Sequence, residues 1–141
     1  MAGALDGITV VDFSRILAGP YCTMLLADMG ADVIKIEKPD GGDDARGWGP
    51  PFIEEASIMF HVTNRNKRSV TLDMKNAGDL EKLKALVRDA DILIQNLRSG
   101  VVAELGIGPQ HMQAVNPRLI YCSIWAFGPS GPLSRACPLY P

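Results

Sequence analysis

Two polar segments of this sequence carry side chains that could bind an anion. Residues 64–68, Asn-Arg-Asn-Lys-Arg, place three cations in five positions, and Lys75 follows shortly after them. Asn96 and Arg98 directly follow an apolar run in the second segment. Lysine and arginine donors match the oxygen atoms of phosphate groups, so both segments are candidate phosphate contacts. The residues alone support a second interpretation equally well: a solvated surface for 64–68, and a turn in which Asn96 bonds its own backbone.

The histidines and cysteines do not form a recognisable catalytic or metal-binding set. His61 and His111 are far apart, and no carboxylate or cysteine joins either one at the spacing of metal ligands. We therefore predict no metal site and expect each histidine to be structural or on the surface. Cys137 lies in a proline-flanked tail without a recognisable base nearby, which argues against a nucleophilic role. No catalytic residue is identified by these patterns.

Length, charge and composition narrow the class of protein. A chain of 141 residues suits one domain, and a net charge of −2 gives no general attraction for nucleic acid or an anionic membrane. The apolar stretches are shorter than the ~20 residues that span a bilayer, and the first residues lack a signal-peptide pattern. Three cysteines without paired spacing indicate a reducing compartment. We expect a soluble cytoplasmic protein with neither nucleic acid nor membrane as a partner.

Alternating strands and helices must position the polar groups. The apolar patterns predict strands at about 8–13, 32–37, 68–74, 92–95 and 118–124. They predict helices at about 20–29, 57–61, 77–88, 101–105 and 109–115. This alternation predicts a single α/β domain over 1–141, with a Rossmann-like, doubly wound, mainly parallel sheet and helices on both faces. Ligands of such sheets bind at the carboxyl ends of the strands, where the polar segments fall.

The turn after the first strand argues against a classical dinucleotide site. Gly19 and Pro20 stand at this turn, whereas the dinucleotide fingerprint needs three glycines, and proline removes a backbone donor. Glu37 at the end of the second strand could contact a ribose, but the missing glycines weaken that assignment. Residues 38–56 form a long loop rich in Gly, Pro and Asp, of a kind that is often functional or mobile.

Motifs along nearly the whole chain resemble the opening of the family III CoA-transferases. That family includes formyl-CoA and carnitine CoA-transferases and the α-methylacyl-CoA racemases. The motifs keep the family's order across about residues 5–133, and they are LDGITVVDF at 5–13, AGP at 18–20, GADVIKIE at 30–37, GD at 42–43 with RG at 46–47, NRNKRSVTLDMK at 64–75, NLRSGV at 96–101, LG at 105–106, NPRLIY at 116–121, and FG at 127–128 with GP at 131–132. Each motif alone is weak, but their common order makes the resemblance specific.

The resemblance implies coenzyme A contacts near the first two strands. Ile16 and Leu17 match a turn that contacts CoA, and formyl-CoA transferase has a glutamine at the second of these positions. Because Leu17 cannot supply that polar contact, the resemblance does not imply a formyl or oxalyl substrate. Lys38 matches an arginine that contacts the nucleotide phosphates. A lysine keeps the charge but loses the bidentate fork of arginine.

The resemblance also implies contacts after the later strands. Leu72 and Lys75 match an adenine-side wall and a phosphate contact. Asn96 and Arg98 match the loop that holds the CoA diphosphate or the pantetheine arm. Coenzyme A or acyl-CoA is then the substrate, and no tightly bound cofactor is expected.

The activity implied by the resemblance is transfer of CoA between an acyl-CoA and a carboxylic acid. In the family an aspartate attacks the thioester, and that aspartate lies beyond residue 141, so no residue here is assigned as catalytic. We therefore expect an N-terminal, CoA-binding portion, truncated relative to the family and inactive alone. Family members are interlaced homodimers, which implies a homo-oligomer or a partner chain that supplies the missing second half.

Two alternatives remain open at this point. A racemase relative would use an Asp in a Gly-His/Tyr-Asp motif together with a histidine about thirty residues earlier. The comparable segment here is 137–141, which lacks the glycine and the aspartate, although His111 lies near the region of the racemase histidine. The other alternative is a non-catalytic remnant that binds CoA or serves as an oligomerisation partner.

Overall fold

A five-stranded parallel sheet with helices on both faces forms the centre of the computed structural model, which describes residues 3–134. The elements in chain order are β1 (Thr9–Phe13), α1 (Ala18–Asp28), β2 (Asp32–Glu37), a 3-10 helix (Asp44–Gly47), β3 (Phe52–Ile53), β4 (Ala56–Ser57), α2 (Ile58–Asn64), β5 (Lys67–Thr71), α3 (Ala77–Arg88), β6 (Ile92–Gln95), α4 (Val101–Glu104), α5 (Pro109–Val115) and β7 (Ile120–Ser123). The predicted α/β class is confirmed. No helix of residues 3–134 is long and apolar enough to cross a membrane.

The strand order places a topological switch point at the middle of the sheet. The order is β5-β2-β1-β6-β7, and every neighbouring pair is parallel. The chain first builds outward from β1 through β2 to β5, and then returns to the other side of β1 for β6 and β7. Crevices for ligands form at the carboxyl ends of the strands on either side of such a reversal. The turns that follow β1 and β6 therefore lie at the expected position for a ligand.

Alternating residues of the strands fill two separate cores. On one face, Val11, Ile34 and Leu93 pack with residues of α3 and α5, including Leu83 and Met112. On the other face, a smaller cluster packs beneath α1 and comprises Val10, Ala27, Ala31, Val33 and Ile94. Successive residues of a strand point to opposite faces of the sheet. Because both faces of this parallel sheet are covered by helices, successive residues must be apolar, which explains the near-continuous apolar strands.

Local signals explain most of the element boundaries. Asn76 caps α3 as predicted, because its side-chain oxygen accepts from the backbone N–H groups of Gly78 and Asp79 at 2.8 and 3.3 Å. Helix α1 begins at Ala18, two residues earlier than expected, and Pro20 is tolerated within the first turn because its missing donor would have no helical partner. Part of the predicted long loop is ordered as the 3-10 helix and the β3–β4 hairpin.

Strand β5 ends three residues before the predicted boundary. Asp73 turns the chain out of the sheet, since its N–H donates to the Asp79 carboxylate at 3.0 Å and its carbonyl accepts from the Asn76 N–H at 2.9 Å. The N–H and carbonyl of Asp73 therefore bond to residues at the start of α3 and are not available to extend the strand.

Replacing Leu83 tests the larger core. Leu83 is fully buried in α3, so Leu83→Ala should lower the free energy of unfolding by about 2–5 kcal/mol. Urea unfolding followed by circular dichroism measures this change. Lys82→Ala alters an exposed neighbour on the same helix and should stay within about 0.5 kcal/mol of the unaltered chain. Equal losses for the two variants would contradict the assignment of Leu83 to the core.

Candidate functional site

Two distant side chains hold the turn between β1 and α1. The Asn96 side chain accepts from the Arg15 N–H at 2.7 Å and donates to the Arg15 carbonyl at 2.8 Å. The Asp43 carboxylate accepts from the Ile16 N–H at 3.0 and 3.2 Å. Asn96 therefore bonds the backbone of the neighbouring strand's turn and not its own, and its amide keeps one N–H and one lone pair for a ligand. The turn is therefore held both by Asn96, which follows β6, and by Asp43 in the loop at 38–56, which we call the glycine-rich loop.

Two buried ion pairs lie beneath this turn. Lys35 of β2 contacts the Asp43 carboxylate at 2.8 Å, and the two side chains are 2% and 1% exposed. Lys67 of β5 contacts the Asp12 carboxylate of β1 at 3.1 Å, and both are equally buried. Each pair also binds Ser14: Asp12 accepts from the Ser14 N–H at 3.0 Å, and Lys35 donates to the Ser14 carbonyl at 3.0 Å. Buried ions persist only when such partners satisfy them, so these charges are structural supports of the turn.

A third ion pair joins the glycine-rich loop to the sheet. Arg46 binds the Glu37 carboxylate with two donors, at 2.7 and 2.8 Å, and the Ser69 hydroxyl donates to the same carboxylate at 2.6 Å. Burial disfavours ionisation of Glu37, but the bonds from Arg46, Ser69 and the Asp43 N–H outweigh it and lower the pKa of Glu37 to about 2. A side chain at Gly42 would collide with this carboxylate, so the close approach of the loop requires glycine there.

A polar cleft of about 480 Å³ lies beside this third pair, at the carboxyl ends of β2 and β5. Its lining includes Glu37, Lys38, Arg46, Ser69 and Thr71, and the glycine-rich loop closes one side. The cleft therefore offers both charged groups and hydroxyls at the carboxyl ends of β2 and β5.

All seven positions predicted to contact CoA lie in turns at the carboxyl edge of the sheet. They follow four neighbouring strands, with Ile16 and Leu17 after β1, Lys38 after β2, Leu72 and Lys75 after β5, and Asn96 and Arg98 after β6.

The seven side chains differ in how open they are. The Leu17 side chain is 45% exposed, whereas Leu72 is 4% exposed and packs within the larger core. The Lys38 ammonium is exposed and pairs with Asp44 at 2.5 Å.

Three exposed cations at this edge have no ion pair within residues 3–134. They are Arg15, Lys75 and Arg98, which follow β1, β5 and β6 respectively. The sequence patterns missed Arg15, although its position directly after the first strand is the same signal that identified Arg98. Unpaired guanidinium and ammonium groups at a ligand edge suit phosphate or carboxylate oxygens.

The cation-rich segment 64–68 has a structural role. Arg65 binds Asp28 at the end of α1, Arg68 binds Asp32 at the start of β2, and Lys67 is the buried partner of Asp12. Asp28 and Asp32 lie toward the amino ends of the strands, away from the ligand edge. The structure therefore gives the phosphate-contact interpretation of this segment no support, since each of the three cations has a carboxylate partner within the fold.

Neither histidine lies at the candidate site. His61 contacts the Ile53 carbonyl at 3.1 Å, and His111 is exposed on α5. Helix α5 covers the sheet face opposite to α1, whereas the ion pairs of Asp12 and Asp43 lie on the α1 face. A racemase role would require His111 in the cleft, so the structure gives that alternative no support. Cys137 and the segment 137–141 lie outside the described residues.

The strand order and the cation-bearing carboxyl edge define a Rossmann-like α/β protein with a candidate site for an anionic ligand. The chain belongs to the CoA-transferase family III, whose family model matches residues 5–138. It is 47% identical over 134 residues to the succinate–glutarate CoA-transferase of Agrobacterium fabrum and 46% identical over 140 residues to the formyl-CoA:oxalate CoA-transferase of Rhodopseudomonas palustris. The crystal structure of a CAIB/BAIF family protein from Brucella suis matches with a TM-score of 0.92 and 45% identity.

The matched relatives are much longer than this chain. The matches cover 91% and 99% of the chain but only 34% and 32% of the two enzymes. The Brucella suis match covers 97% of the chain and 37% of the crystallised protein. The chain thus spans about a third of the length of the curated relatives, and it matches their N-terminal part.

Glu37→Gln should change how stability depends on pH. Since the folded-state pKa of about 2 lies below the ordinary 4.5, the ionised carboxylate stabilises the fold above about pH 5. That stabilisation is lost as pH falls toward 2, and we expect a loss on the order of 2 kcal/mol after allowance for solvent screening. Urea unfolding at several pH values measures it, and Glu37→Gln should lack this part of the decline.

Glu81→Gln provides the matched control. Glu81 forms an exposed pair with Lys84 on α3, so this variant should keep the acid-induced decline of the unaltered chain. The assignment to Glu37 fails if Glu37→Gln and the unaltered chain lose stability in parallel between about pH 5 and about pH 2.

Proposed function

We propose that this chain forms the CoA-binding part of an enzyme that transfers CoA between an acyl-CoA and a carboxylic acid. The observation that carries the proposal is the collection of seven family positions along one edge of four neighbouring strands. Two of these residues, Lys75 and Arg98, are exposed cations without an ion pair in the described part of the chain. One named relative is a succinate–glutarate CoA-transferase and the other a formyl-CoA:oxalate CoA-transferase. Because both names include dicarboxylic acids, they favour a carboxylic acid as the acceptor without selecting one.

The geometry suits recognition of the anionic end of CoA. Lys75 and Arg98 lie on the two sides of the β1–β2 pair and can receive phosphate oxygens with charge-assisted hydrogen bonds. Ile16 and Leu17 offer apolar contact between them, and Asn96 retains hydrogen-bonding capacity toward an amide of the pantetheine arm. The expectation of CoA as a substrate without a tightly bound cofactor stays a prediction, as does the cytoplasmic location.

The carboxylates beneath the turn are poorly suited to attack a thioester. Asp12, Glu37 and Asp43 are 5% exposed or less, and each is bound by a cation and further donors. A nucleophilic carboxylate must reach the thioester carbon with a free oxygen. We therefore assign none of these residues as catalytic and propose that the chain alone binds CoA without turnover. Measurable turnover of an acyl-CoA by the 141-residue chain would contradict that part of the proposal.

Isothermal titration calorimetry with CoA tests the binding site. Arg98→Ala and Lys75→Ala should each weaken binding by about three- to tenfold, because each removes an exposed charge contact to phosphate. The difference should shrink at high salt, which screens exposed charges. Arg118→Ala removes an exposed cation at the opposite edge of the sheet and should leave the affinity unchanged.

Two results would contradict the proposed site. The first is no detectable binding of CoA to the unaltered chain at millimolar concentration. The second is an equal loss for Arg118→Ala and Arg98→Ala, since a general charge effect would then explain both.

An apolar surface on α1 supports the proposal that the chain self-associates. Tyr21, Leu25 and Met29 recur every four residues, so they share one side of the helix, and they are 39–51% exposed. Helix α2 contacts α1 and adds three exposed apolar side chains, Ile58, Met59 and Val62. Contiguous exposed apolar residues of this size mark interaction surfaces. We propose that a second copy of the chain covers this surface.

Charged substitutions on α1 should weaken self-association. The unaltered chain is expected to elute as a dimer or larger species in size-exclusion chromatography with light scattering, and Tyr21→Lys/Leu25→Lys should shift it toward the monomer. Ile120→Lys, at an exposed apolar residue outside this surface, serves as the control and should leave the elution unchanged. A monomeric unaltered chain at high micromolar concentration would rule out this surface as a self-association site.

A further inference from the structure

The protein's own side chains occupy the backbone donors of the turn after β1. In dinucleotide-binding folds, the N–H groups of the first strand-to-helix turn bind a pyrophosphate. Here the Arg15 N–H donates to Asn96 at 2.7 Å, and the Ile16 N–H donates to the Asp43 carboxylate at 3.0 Å. The Asp43 carboxylate is thus an internal anion at a turn that in other folds receives an external one.

Asp43 is itself fixed on all sides. Its carboxylate accepts from the Ala45 N–H at 3.0 Å and pairs with Lys35 at 2.8 Å, while its own N–H donates to Glu37 at 2.9 Å. The side chain is 1% exposed. An acceptor with this many partners cannot move away from Ile16 without breaking buried ionic contacts, so it is a rigid anchor for the turn.

Ile16 has a backbone conformation that needs an anchor. Its φ angle is 71°, in the left-handed region that β-branched residues rarely adopt. A residue held in such a conformation persists only when its surroundings impose it, and such residues concentrate at functional sites. The bond from the Ile16 N–H to Asp43 joins this residue to the glycine-rich loop, 27 residues away in sequence.

We propose that Asp43 is a positioning residue for coenzyme A binding. By accepting the Ile16 N–H, it holds the left-handed turn that presents Ile16 and Leu17 to the ligand, and it leaves the CoA phosphates to the exposed cations Lys75 and Arg98. This inference rests on the proposed CoA site. It adds a residue that has no direct contact with the ligand but sets the fraction of molecules whose turn is competent to bind.

A double-mutant cycle between positions 43 and 16 tests this role by calorimetry with CoA. Without Asp43, isoleucine is expected to leave the left-handed conformation in most molecules, so Asp43→Ala should weaken CoA binding by about tenfold. Glycine adopts that conformation unaided, so in the Ile16→Gly background the same change should weaken binding by only about twofold. Any direct contribution of the Ile16 side chain cancels in the comparison of the two ratios.

Controls separate this role from a general loss of stability. Asp28→Ala removes an ion-pair carboxylate at the far end of α1 and should leave the CoA affinity unchanged. If Asp43→Ala does not fold because it leaves the Lys35 ammonium unpaired, the cycle is repeated in a Lys35→Met background, which removes that charge. The expected ratios are the same in that background. Equal losses with isoleucine and with glycine at position 16, or no loss in either, would overturn the proposal.

A measurement without ligand separates this inference from the proposed function. If the unaltered chain does not bind CoA, the proposed function fails, and amide hydrogen exchange at Ile16 then decides whether Asp43 holds the turn. Exchange of the Ile16 N–H should be at least tenfold faster in Asp43→Ala than in the unaltered chain, because the amide loses its buried acceptor. Unchanged exchange would overturn the inference whether or not CoA binds.

Discussion

The buried ion pair between Lys35 and Asp43 is the interaction on which the candidate site depends. It links the second strand of the sheet to the glycine-rich loop, and through the Ser14 carbonyl and the Ile16 N–H it links both to the turn after β1. Removing one partner of a buried pair typically costs about 3–5 kcal/mol, because the remaining charge is left unsatisfied. Sheet, loop and turn therefore keep their relative positions together, and none of them can shift while the other two stay in place.

The charges of this region also explain how one face of the sheet is divided. The α1 face carries an apolar cluster beneath the helix that includes Val10, Val33 and Ile94. The same face also carries three carboxylates and three cations, namely Asp12, Glu37, Asp43, Lys35, Arg46 and Lys67. Their equal numbers let every buried charge find an opposite one, which limits the cost of burial. Most of these charges lie beneath the turns at the carboxyl ends of the strands, and Lys67 reaches Asp12 from the amino end of β5.

Local patterns predicted the elements better than the contacts between them. The strands Asp32–Glu37 and Ile92–Gln95 and the helix Ala77–Arg88 matched the predicted ranges, because apolar period, capping and flanking residues all act within a few positions. The role of 64–68 was open from sequence because its partners Asp12, Asp28 and Asp32 are more than thirty residues away. The bond between Ile16 and Asp43 and the left-handed φ of Ile16 have no local signal either, since isoleucine itself disfavours that conformation.

The same ion pairs explain why the buried carboxylates of this chain can support a binding site but cannot act as nucleophiles. A carboxylate that attacks a thioester must be ionised and must also present an unshared oxygen to the reacting carbon. Arg46, Ser69 and the Asp43 N–H lower the pKa of Glu37 to about 2, so it meets the first condition, but the same donors occupy its oxygens and prevent it from meeting the second. The bonds that make these buried carboxylates stable supports of the turn therefore make them unsuitable as nucleophiles. Under the proposed reaction, the attacking carboxylate must be a residue that is not already committed to holding the site in shape.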